Sequence, residues 1–423
     1  MCVSPSLQSL VQAAGAAVNQ GHWQEAERLW AAVRALDPKH PQALYSLGVH
    51  AFRRGDLAGA LQTLQQAHAV APRDPVVLLS TAVVLRAMGE GQGELRAIDA
   101  ALALDPLLLP ALLARAANIE RHAGARAAAA IWRNALKVAP PEERWPQALR
   151  EQLVHARMQA QAYGEQLATF LAERMQRDLD RLSPMEAERW REAGALVSGT
   201  SQSYPSVANR LQVPRLPAIP FFERGLFPWV EALEAQTAAI TVEMRAAYAS
   251  EPDQFKPYVT YAPGTPVNQW HELNHSQRWS SYFLWRNGQA QAERLRQCPQ
   301  TAQALAEVEM ADIGGLCPNA MFSALAPHTA IPPHHGETNA RLVVHLPLVV
   351  PDGCMYRVGY EKRQWRVGQT LIFDDSIEHE ARNDSDELRV VLIFDVWNPL
   401  LSAGERDIVR TLNAATHAFH SQE

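Results

Sequence analysis

The chain has 423 residues, of which 47% are hydrophobic and 20% are charged, and its formal net charge at pH 7 is -6. This length favours two or three globular units, each with its own core. The charge and hydrophobic content exclude a disordered chain, and they exclude a generally basic protein that binds nucleic acid.

Four widely spaced cysteines form no CxxC pair and are too few for a disulfide framework, which favours a reducing compartment. They are Cys2, Cys298, Cys317 and Cys354. The start of the chain lacks the basic and apolar pattern of a signal peptide, and no segment approaches the ~18 uninterrupted apolar residues of a membrane span. We therefore expect a cytoplasmic protein with no membrane span.

Prolines recur every 34 residues in the first third of the chain, each after an Ala-rich stretch with helical spacing of apolar residues. These prolines are Pro38, Pro72, Pro106 and Pro140. Glycines lie between them, where a turn between two helices needs a positive φ. These glycines are Gly21, Gly55, Gly89 and, one residue late, Gly124. The pattern resembles the tetratricopeptide repeat, which has the same period.

Small residues recur in register where paired helices approach closely, at Ala26, Ala60 and Ala128, but Glu94 breaks the series in the third copy. Four units from about Leu7 to Pro140 would stack into a superhelix whose concave face binds a peptide or protein. A purely structural helical array is the alternative.

Changes in composition divide the chain into four segments. Residues 1–141 are expected to form the repeats, and residues 142–215 a helical cap and a Pro-rich connector. Residues 216–401 are expected to form a double-stranded β-helix domain of the jelly-roll or cupin type, because short strands with a period of two replace the helical pattern. Residues 402–423 are a C-terminal helical tail.

Two histidines on different predicted strands, His334 and His379, are candidate ligands for ferrous iron, for which imidazole is a suitable donor. In the usual set for non-haem iron oxygenases, a carboxylate stands two residues after the first histidine, but Gly336 occupies that position here. His335 or Glu337 are alternative third ligands. One of the carboxylates flanking His379 is expected to fix its second ring nitrogen.

Three segments resemble the aspartyl/asparaginyl β-hydroxylase family: PPHHGETNARLVVHLPL, GQTLIFDDSIEHEARND and LRVVLIFDVWNP. Members of this family also carry glycine in place of the carboxylate. The resemblance implies an Fe(II)-dependent dioxygenase with 2-oxoglutarate and O2 as cosubstrates, in which His334 and His379 hold the iron. It further implies that Ser323, His345 and Arg389 hold 2-oxoglutarate.

A guanidinium on the strand LRVVLIFDVW needs a partner, because an unpaired buried charge is costly, and the distal carboxylate of 2-oxoglutarate is a suitable one. If the turn in NDSDE is a hairpin centred on Asp384, His379 and Arg389 lie opposite each other across it. Four tryptophans are candidates to line a substrate cleft: Trp270, Trp279, Trp285 and Trp365.

The resemblance suggests hydroxylation of the β-carbon of Asp or Asn in a peptide, with Arg341 as a substrate-binding residue. Members that act on aspartyl residues tend to have a second arginine two positions later, where this chain has Val343. A hydroxylase of a lipid acyl chain or small molecule is therefore a second hypothesis. A halogenase and a non-catalytic repeat scaffold are further alternatives.

Overall fold

The computed structural model describes residues 6–420, and Cys2 lies outside this range. The described residues form two compact units. The first contains the residues up to Arg174 together with 198–200, and the second contains 175–197 and everything from Ser201 onward. The three remaining cysteines are buried free thiols. No helix between residues 6 and 420 has the length and apolar content needed to cross a membrane.

The first unit begins with eight helices that pack as four consecutive antiparallel pairs. They are α1 (Leu7–Asn19), α2 (Trp23–Leu36), α3 (Pro41–Arg53), α4 (Leu57–Val70), α5 (Pro75–Ala87), α6 (Gly91–Leu104), α7 (Leu109–Ala123) and α8 (Ala125–Val138). The long helix α9 (Arg150–Leu179) follows. The predicted 34-residue helix-turn-helix repeat is confirmed.

The turns within the helix pairs have the expected geometry, since Gly21, Gly55, Gly89 and Gly124 all have positive φ. At Gly124, α7 runs to the preceding residue and the glycine directly precedes α8. The late position of this glycine therefore reflects a longer first helix in the fourth pair.

Glu94, which interrupts the series of small residues, is buried and fully partnered. Its carboxylate accepts hydrogen bonds from Asn118 Nδ2 at 2.7 Å and from Arg121 Nη2 at 2.7 and 2.8 Å. Ala26, Ala60 and Ala128 are completely buried at the corresponding positions. The third pair therefore replaces close helix packing with a buried polar contact to the fourth.

Six helices belong wholly or largely to the second unit. They are α10 (Pro184–Ser198), α11 (Val230–Ala235), α12 (Thr237–Ser250), α13 (Ala292–Gln297), α14 (Pro299–Ala306) and α15 (Ala403–His420).

Eleven strands of the second unit form two antiparallel sheets. They are β1 (Lys256–Pro257), β2 (Trp279–Arg286), β3 (Gln289–Ala290), β4 (Ala320–Leu325), β5 (Thr329–His334), β6 (Arg341–Val349), β7 (Cys354–Val358), β8 (Glu361–Arg363), β9 (Leu371–Phe373), β10 (His379–Asn383) and β11 (Arg389–Trp397). The seven-stranded sheet has the order β1-β2-β4-β11-β6-β9, with β3 paired to β2, and the four-stranded sheet has the order β5-β10-β7-β8.

From β4 to β11 the chain crosses to the other sheet after each strand, except that β7 and β8 pair with each other in the smaller sheet. Strands β4, β6, β9 and β11 lie in the larger sheet, and β5, β7, β8 and β10 lie in the smaller one. This alternation is the topology of a double-stranded β-helix, so the predicted fold class is confirmed. The faces that the sheets turn toward each other carry the second core cluster, which includes Tyr356, Phe373 and Val391.

The predicted hairpin between His379 and Arg389 is wrong. β10 pairs with β5 and β7, whereas β11 pairs with β4 and β6. The turn instead carries the chain from one sheet to the other. Asn383 fixes this crossing, since the two hydrogens of its buried Nδ2 are shared among the carbonyl oxygens of Leu325, Ala326 and Glu387, at 2.8 to 3.1 Å.

Candidate active site

The two candidate iron ligands are neighbours on adjacent strands of the smaller sheet. His334 ends β5, His379 begins β10, and the two residues are register partners with ring centroids 4.0 Å apart. Because Ala381 pairs with Ile331 while His379 pairs with His334, two residues of β5 lie opposite one residue of β10. This bulge, formed by the two prolines before His334, turns the imidazole toward its partner.

The hydrogen bonds of both histidines fix their tautomers. Nδ1 of His334 lies 2.8 Å from the carbonyl oxygen of Pro332, and Nδ1 of His379 lies 3.0 Å from that of Ile377. A carbonyl only accepts, so each Nδ1 carries the proton and each Nε2 keeps a free lone pair for a metal. A backbone carbonyl therefore orients His379, and the expectation that a flanking carboxylate does so is wrong.

Burial keeps both imidazoles neutral. Desolvation, with the neighbouring His379 as the next cause, lowers the pKa of His334 to about 3. Desolvation likewise lowers the pKa of His379 to about 4. Neutral imidazole is the form that binds a metal.

The position of the missing carboxylate is filled by another residue. A Cβ atom added to Gly336 would lie 2.0 Å from Oδ2 of Asp375, so no side chain fits there unless Asp375 moves. Among residues 6–420, no group of three or more His, Cys, Asp or Glu side chains converges on a possible metal position. The described residues therefore offer two imidazoles, and they provide no support for His335 or Glu337 as a third ligand.

Arg389 is a buried cation that has no carboxylate partner in the described part of the chain. It is 1% exposed, its Nη1 lies 3.5 Å from the carbonyl oxygen of Ser323, and its Nε has no hydrogen-bond partner. Its guanidinium lies 4.8 Å from the ring centre of Trp365. Burial lowers the pKa of Arg389 to about 10, so the side chain remains charged at neutral pH.

Two indole groups leave Ser323 and His345, the polar residues near Arg389, with a free hydrogen-bond donor each. Trp279 Nε1 donates to Ser323 Oγ at 3.1 Å, and Trp365 Nε1 donates to His345 Nδ1 at 3.2 Å. Because an indole N–H only donates, the serine hydroxyl proton and the Nε2–H of His345 remain available for a ligand. Burial, followed by the charge of Arg389, lowers the pKa of His345 well below its ordinary value. The arrangement suits a carboxylate.

A cavity of about 430 Å³ contains both the histidine pair and this cationic group. Its floor is the inner face of the larger sheet, where alternate residues of β11 face inward. Arg389 lies at one end of the strand and Asp395 near the other, roughly 20 Å apart at about 3.4 Å per residue. Between these ends, Phe283, Met321 and Ile393 form an apolar row across three paired strands.

Arg341, predicted to bind substrate, is already paired with two buried carboxylates. Its Nη1 lies 2.6 Å from Asp375 Oδ1, and its Nε lies 3.2 Å from Asp395 Oδ1. Asp395 Oδ2 also accepts hydrogen bonds from the backbone N and the Nδ2 of Asn319. The cluster has one positive and two negative groups. The carboxylates and not the bulk solvent neutralise Arg341, and they raise its pKa despite its burial.

Sequence reasoning placed Asp395 on the same strand face as Arg389 without giving it a role, and gave Asp375 only as a residue flanking His379. One feature of the sequence could have indicated the partners of Arg341: the two acidic residues lie on or beside very apolar strands. Of the four tryptophans considered, Trp270 and Trp279 line the cavity. Trp365 supports His345, and Trp285 packs against the first core cluster.

The residues present are compatible with a metal ion and a dicarboxylate. Two neutral imidazoles leave Nε2 free, and an unpaired guanidinium with two further donors lies in the same cavity. The fold and the site thus define a double-stranded β-helix domain with a two-histidine cavity.

Comparison with known proteins shows a family similarity in each part of the chain. Residues 234–399 match the family model described as "Aspartyl/Asparaginyl beta-hydroxylase", and residues 11–75 match the model described as "Tetratricopeptide repeat". Residues 234–399 are therefore similar to the aspartyl/asparaginyl β-hydroxylase family, and residues 11–75 are similar to tetratricopeptide repeats, as the motifs indicated. The family supports an oxygenase-type enzyme, and the repeats are of a kind that binds peptides or proteins.

Three relatives are similar over the C-terminal part. The chain is 33% identical over 198 residues to "Aspartate beta-hydroxylase domain-containing protein 2" of Homo sapiens, which is 46% of this chain and 51% of that protein. It is 40% identical over 129 residues to "Aspartyl/asparaginyl beta-hydroxylase" of Mus musculus, 30% of this chain and 17% of that protein. It is 32% identical over 197 residues to "Ornithine lipid ester-linked acyl 2-hydroxylase" of Rhizobium tropici, 45% of this chain and 65% of that protein. The matches cover less than two thirds of each relative.

Proposed function

We propose that the C-terminal domain is an Fe(II)- and 2-oxoglutarate-dependent hydroxylase. The observation that carries this proposal is Arg389, a buried guanidinium without a carboxylate partner among the described residues, in the same cavity as two metal-competent imidazoles. A buried cation of this kind is costly unless a ligand neutralises it. A small dicarboxylate that also reaches the histidine pair would do so.

Each residue has a distinct role in this proposal. His334 and His379 hold the iron through Nε2, while Arg389, Ser323 and His345 bind one carboxylate of 2-oxoglutarate through charge-assisted hydrogen bonds. Ferrous iron, when bound, supplies the coupling of 2-oxoglutarate decarboxylation to hydroxylation of a C–H bond, with succinate and CO2 as products. The apolar walls exclude water from the reacting groups.

The family makes the β-carbon of Asp or Asn in a peptide the first substrate class to test, with the repeats recruiting the peptide or a partner protein. We place the protein in the cytoplasm, in line with its free thiols.

A second substrate class is favoured by the state of Arg341. Its charge is matched by Asp375 and Asp395, and Val343 lies where a second arginine would be needed. An aspartyl carboxylate beside the histidine pair would meet a cluster with an excess negative charge. A lipid acyl chain or a neutral small molecule avoids this repulsion, and one relative is named as an acyl hydroxylase.

The test is formation of succinate from 2-oxoglutarate under air by protein loaded with Fe(II) under anaerobic conditions, alongside iron content and 2-oxoglutarate binding. His379→Ala should lose iron, and Arg389→Ala should lose 2-oxoglutarate binding but retain iron. His328→Ala and Arg382→Ala are matched controls, because both side chains are exposed and pair with loop aspartates.

Loss of succinate formation in both site variants, with loss of iron in His379→Ala and loss of 2-oxoglutarate binding in Arg389→Ala, supports the proposal if both control variants behave as the wild type. If the wild type binds neither iron nor 2-oxoglutarate, the proposal is wrong, and the domain is then a non-catalytic scaffold. A chloride-dependent product without a hydroxylated species would instead indicate a halogenase.

A further inference from the structure

Most of the charged residues that line the cavity have a partner of opposite charge. Arg341 pairs with Asp375 and Asp395. Glu337 lies 3.6 Å from a guanidinium nitrogen of Arg210. Among the lining residues that the structure describes, two guanidinium groups remain without a carboxylate: Arg389 at the buried end and Arg286 at the rim. The cosubstrate accounts for the first, so Arg286 is left unassigned.

The backbone around Arg286 is anchored. Arg286 ends β2 and pairs with Gln289 of β3, and the turn between them has Asn287 and Gly288 at positive φ. The backbone N–H of Asn287 donates to Asn319 Oδ1 at 2.9 Å, and that of Gly288 donates to Pro318 O at 3.0 Å. The turn is held to the segment before β4. An exposed side chain is therefore presented from a fixed position on the cavity rim.

The space between this rim and the histidine pair is apolar. Phe283, Met321 and Ile393 are aligned across β2, β4 and β11, and all three line the cavity. Trp279, whose ring centre is 6.5 Å from that of His334, lies seven residues before Arg286 on the same strand. The guanidinium of Arg286 lies over the ring of Phe283, 5.0 Å from the ring centre. Phe283 is four residues from Trp279, about 13 Å of strand at about 3.3 Å per residue. An anion at Arg286 is therefore many bonds away from a carbon beside His334.

We propose that Arg286 binds the anionic group of the substrate, and that an aliphatic chain of the same molecule lies along Phe283, Met321 and Ile393 toward the histidine pair. The substrate class is then a long-chain carboxylate or phosphate monoester, hydroxylated on its chain. This inference rests on the proposed hydroxylase function and narrows its substrate.

The geometry disfavours an aspartyl side chain. The carboxylate of Asp is bonded to the carbon that would be hydroxylated, so its cation must lie beside the histidine pair. The cation there, Arg341, is committed to two aspartates. Arg286 is too far along β2 to take that role, but it suits an anion at the end of a chain.

The test is tryptophan fluorescence titration of the full chain, loaded with Fe(II) and saturating 2-oxoglutarate without oxygen. Saturating 2-oxoglutarate occupies Arg389, so the binding of a second anion must occur at another site in the cavity. The probes are dodecanoate, dodecyl phosphate and the uncharged dodecanol. Arg286→Gln should raise the Kd for the two anions about tenfold, as expected for loss of a charge-assisted contact, and leave that for dodecanol unchanged. A preference between the two anions distinguishes a carboxylate from a phosphate substrate.

Two further variants separate the parts of the site. Arg245→Gln, which removes an exposed arginine of α12 outside the cavity lining, should change no Kd. Phe283→Ala should weaken all three probes, because it shortens the apolar row.

Equal dodecanoate binding by the wild type and Arg286→Gln would overturn the inference. So would tight, Arg286-dependent binding of an aspartyl peptide with no binding of the dodecyl compounds. In both cases 2-oxoglutarate binding by the wild type leaves the hydroxylase proposal standing. Absence of 2-oxoglutarate binding contradicts that proposal and the inference together.

Discussion

Replacing Arg389 with methionine should make the metal-free protein more stable while removing 2-oxoglutarate binding. The pKa of Arg389 falls from 12.5 to about 10 because the charge is buried. At 1.36 kcal/mol for each pH unit, burying this charge costs the folded state about 3 kcal/mol. Since neutral pH lies below both values, the arginine is charged in the folded and unfolded chain, and the full cost applies there.

Methionine keeps an unbranched chain of similar length without the charge. It loses the contact with the Trp365 ring, about 1 kcal/mol, so the net gain in the free energy of unfolding is about 2 kcal/mol. Loss of two charge-assisted hydrogen bonds to a carboxylate, at about 1.5 to 3 kcal/mol each, should weaken 2-oxoglutarate binding at least ~100-fold.

The assay is urea unfolding of metal-free protein followed by circular dichroism, with 2-oxoglutarate binding measured by calorimetry on the metal-loaded protein. The matched control is Arg357→Met. Arg357 is also buried, but it forms ion pairs with Glu378 and Glu380. Its removal leaves two carboxylates without their cation and should lower the free energy of unfolding by about 3 kcal/mol. The reasoning is refuted if Arg389→Met unfolds at lower urea than the wild type with an unchanged slope, or if it keeps its affinity for 2-oxoglutarate.

Three other substitutions test the packing on which the two units depend. Glu94→Ala restores the small residue of the repeat but leaves Arg121 without its carboxylate, so it should lower the free energy of unfolding by about 1 to 3 kcal/mol in a urea titration. Gly336→Ala places a Cβ 2.0 Å from Asp375 Oδ2 and should lower both the Tm and the iron content; an unchanged Tm would contradict the described packing. Asn383→Ala removes a side chain whose Nδ2 contacts three carbonyl oxygens and whose Oδ1 accepts from Ser385 and Cys354, and should cost about 2 to 4 kcal/mol, with Asp384→Ala, in the same turn, as the mild comparison.

Local periodicity was sufficient to predict the repeats and several strands. The segment AMFSAL is β4 in full, and LRVVLIFDVW contains β11. The two-residue strands β1 and β3 and the longer strands β2 and β5 were not predicted. β5 contains Pro332 and Pro333, which argue against a strand unless it lies at an edge or a bulge, and β5 has both features. β2 is unusually rich in aromatic residues and does not alternate in polarity, since it is buried along most of its length.

The partners of charged residues were harder to predict than the strands. The rule that a buried cation needs a carboxylate was applied to Arg389. Among the described residues, however, the cavity arginine that has carboxylate partners in the chain is Arg341. Its partners come from the segment after β9 and from β11, and pairing at that sequence distance leaves no local pattern. The error over His379 and Arg389 has the same origin, because a turn sequence does not specify whether the next strand joins the same sheet.

The two prolines before His334 also affect association between molecules. β5 is the edge strand of the smaller sheet, and an exposed edge with free N–H groups is a template for another strand. Pro332 and Pro333 have no N–H to donate, and the bulge they form bends the edge away from the flat geometry that a foreign strand requires. The same local sequence that aims a histidine into the cavity therefore protects this side of the barrel from aggregation.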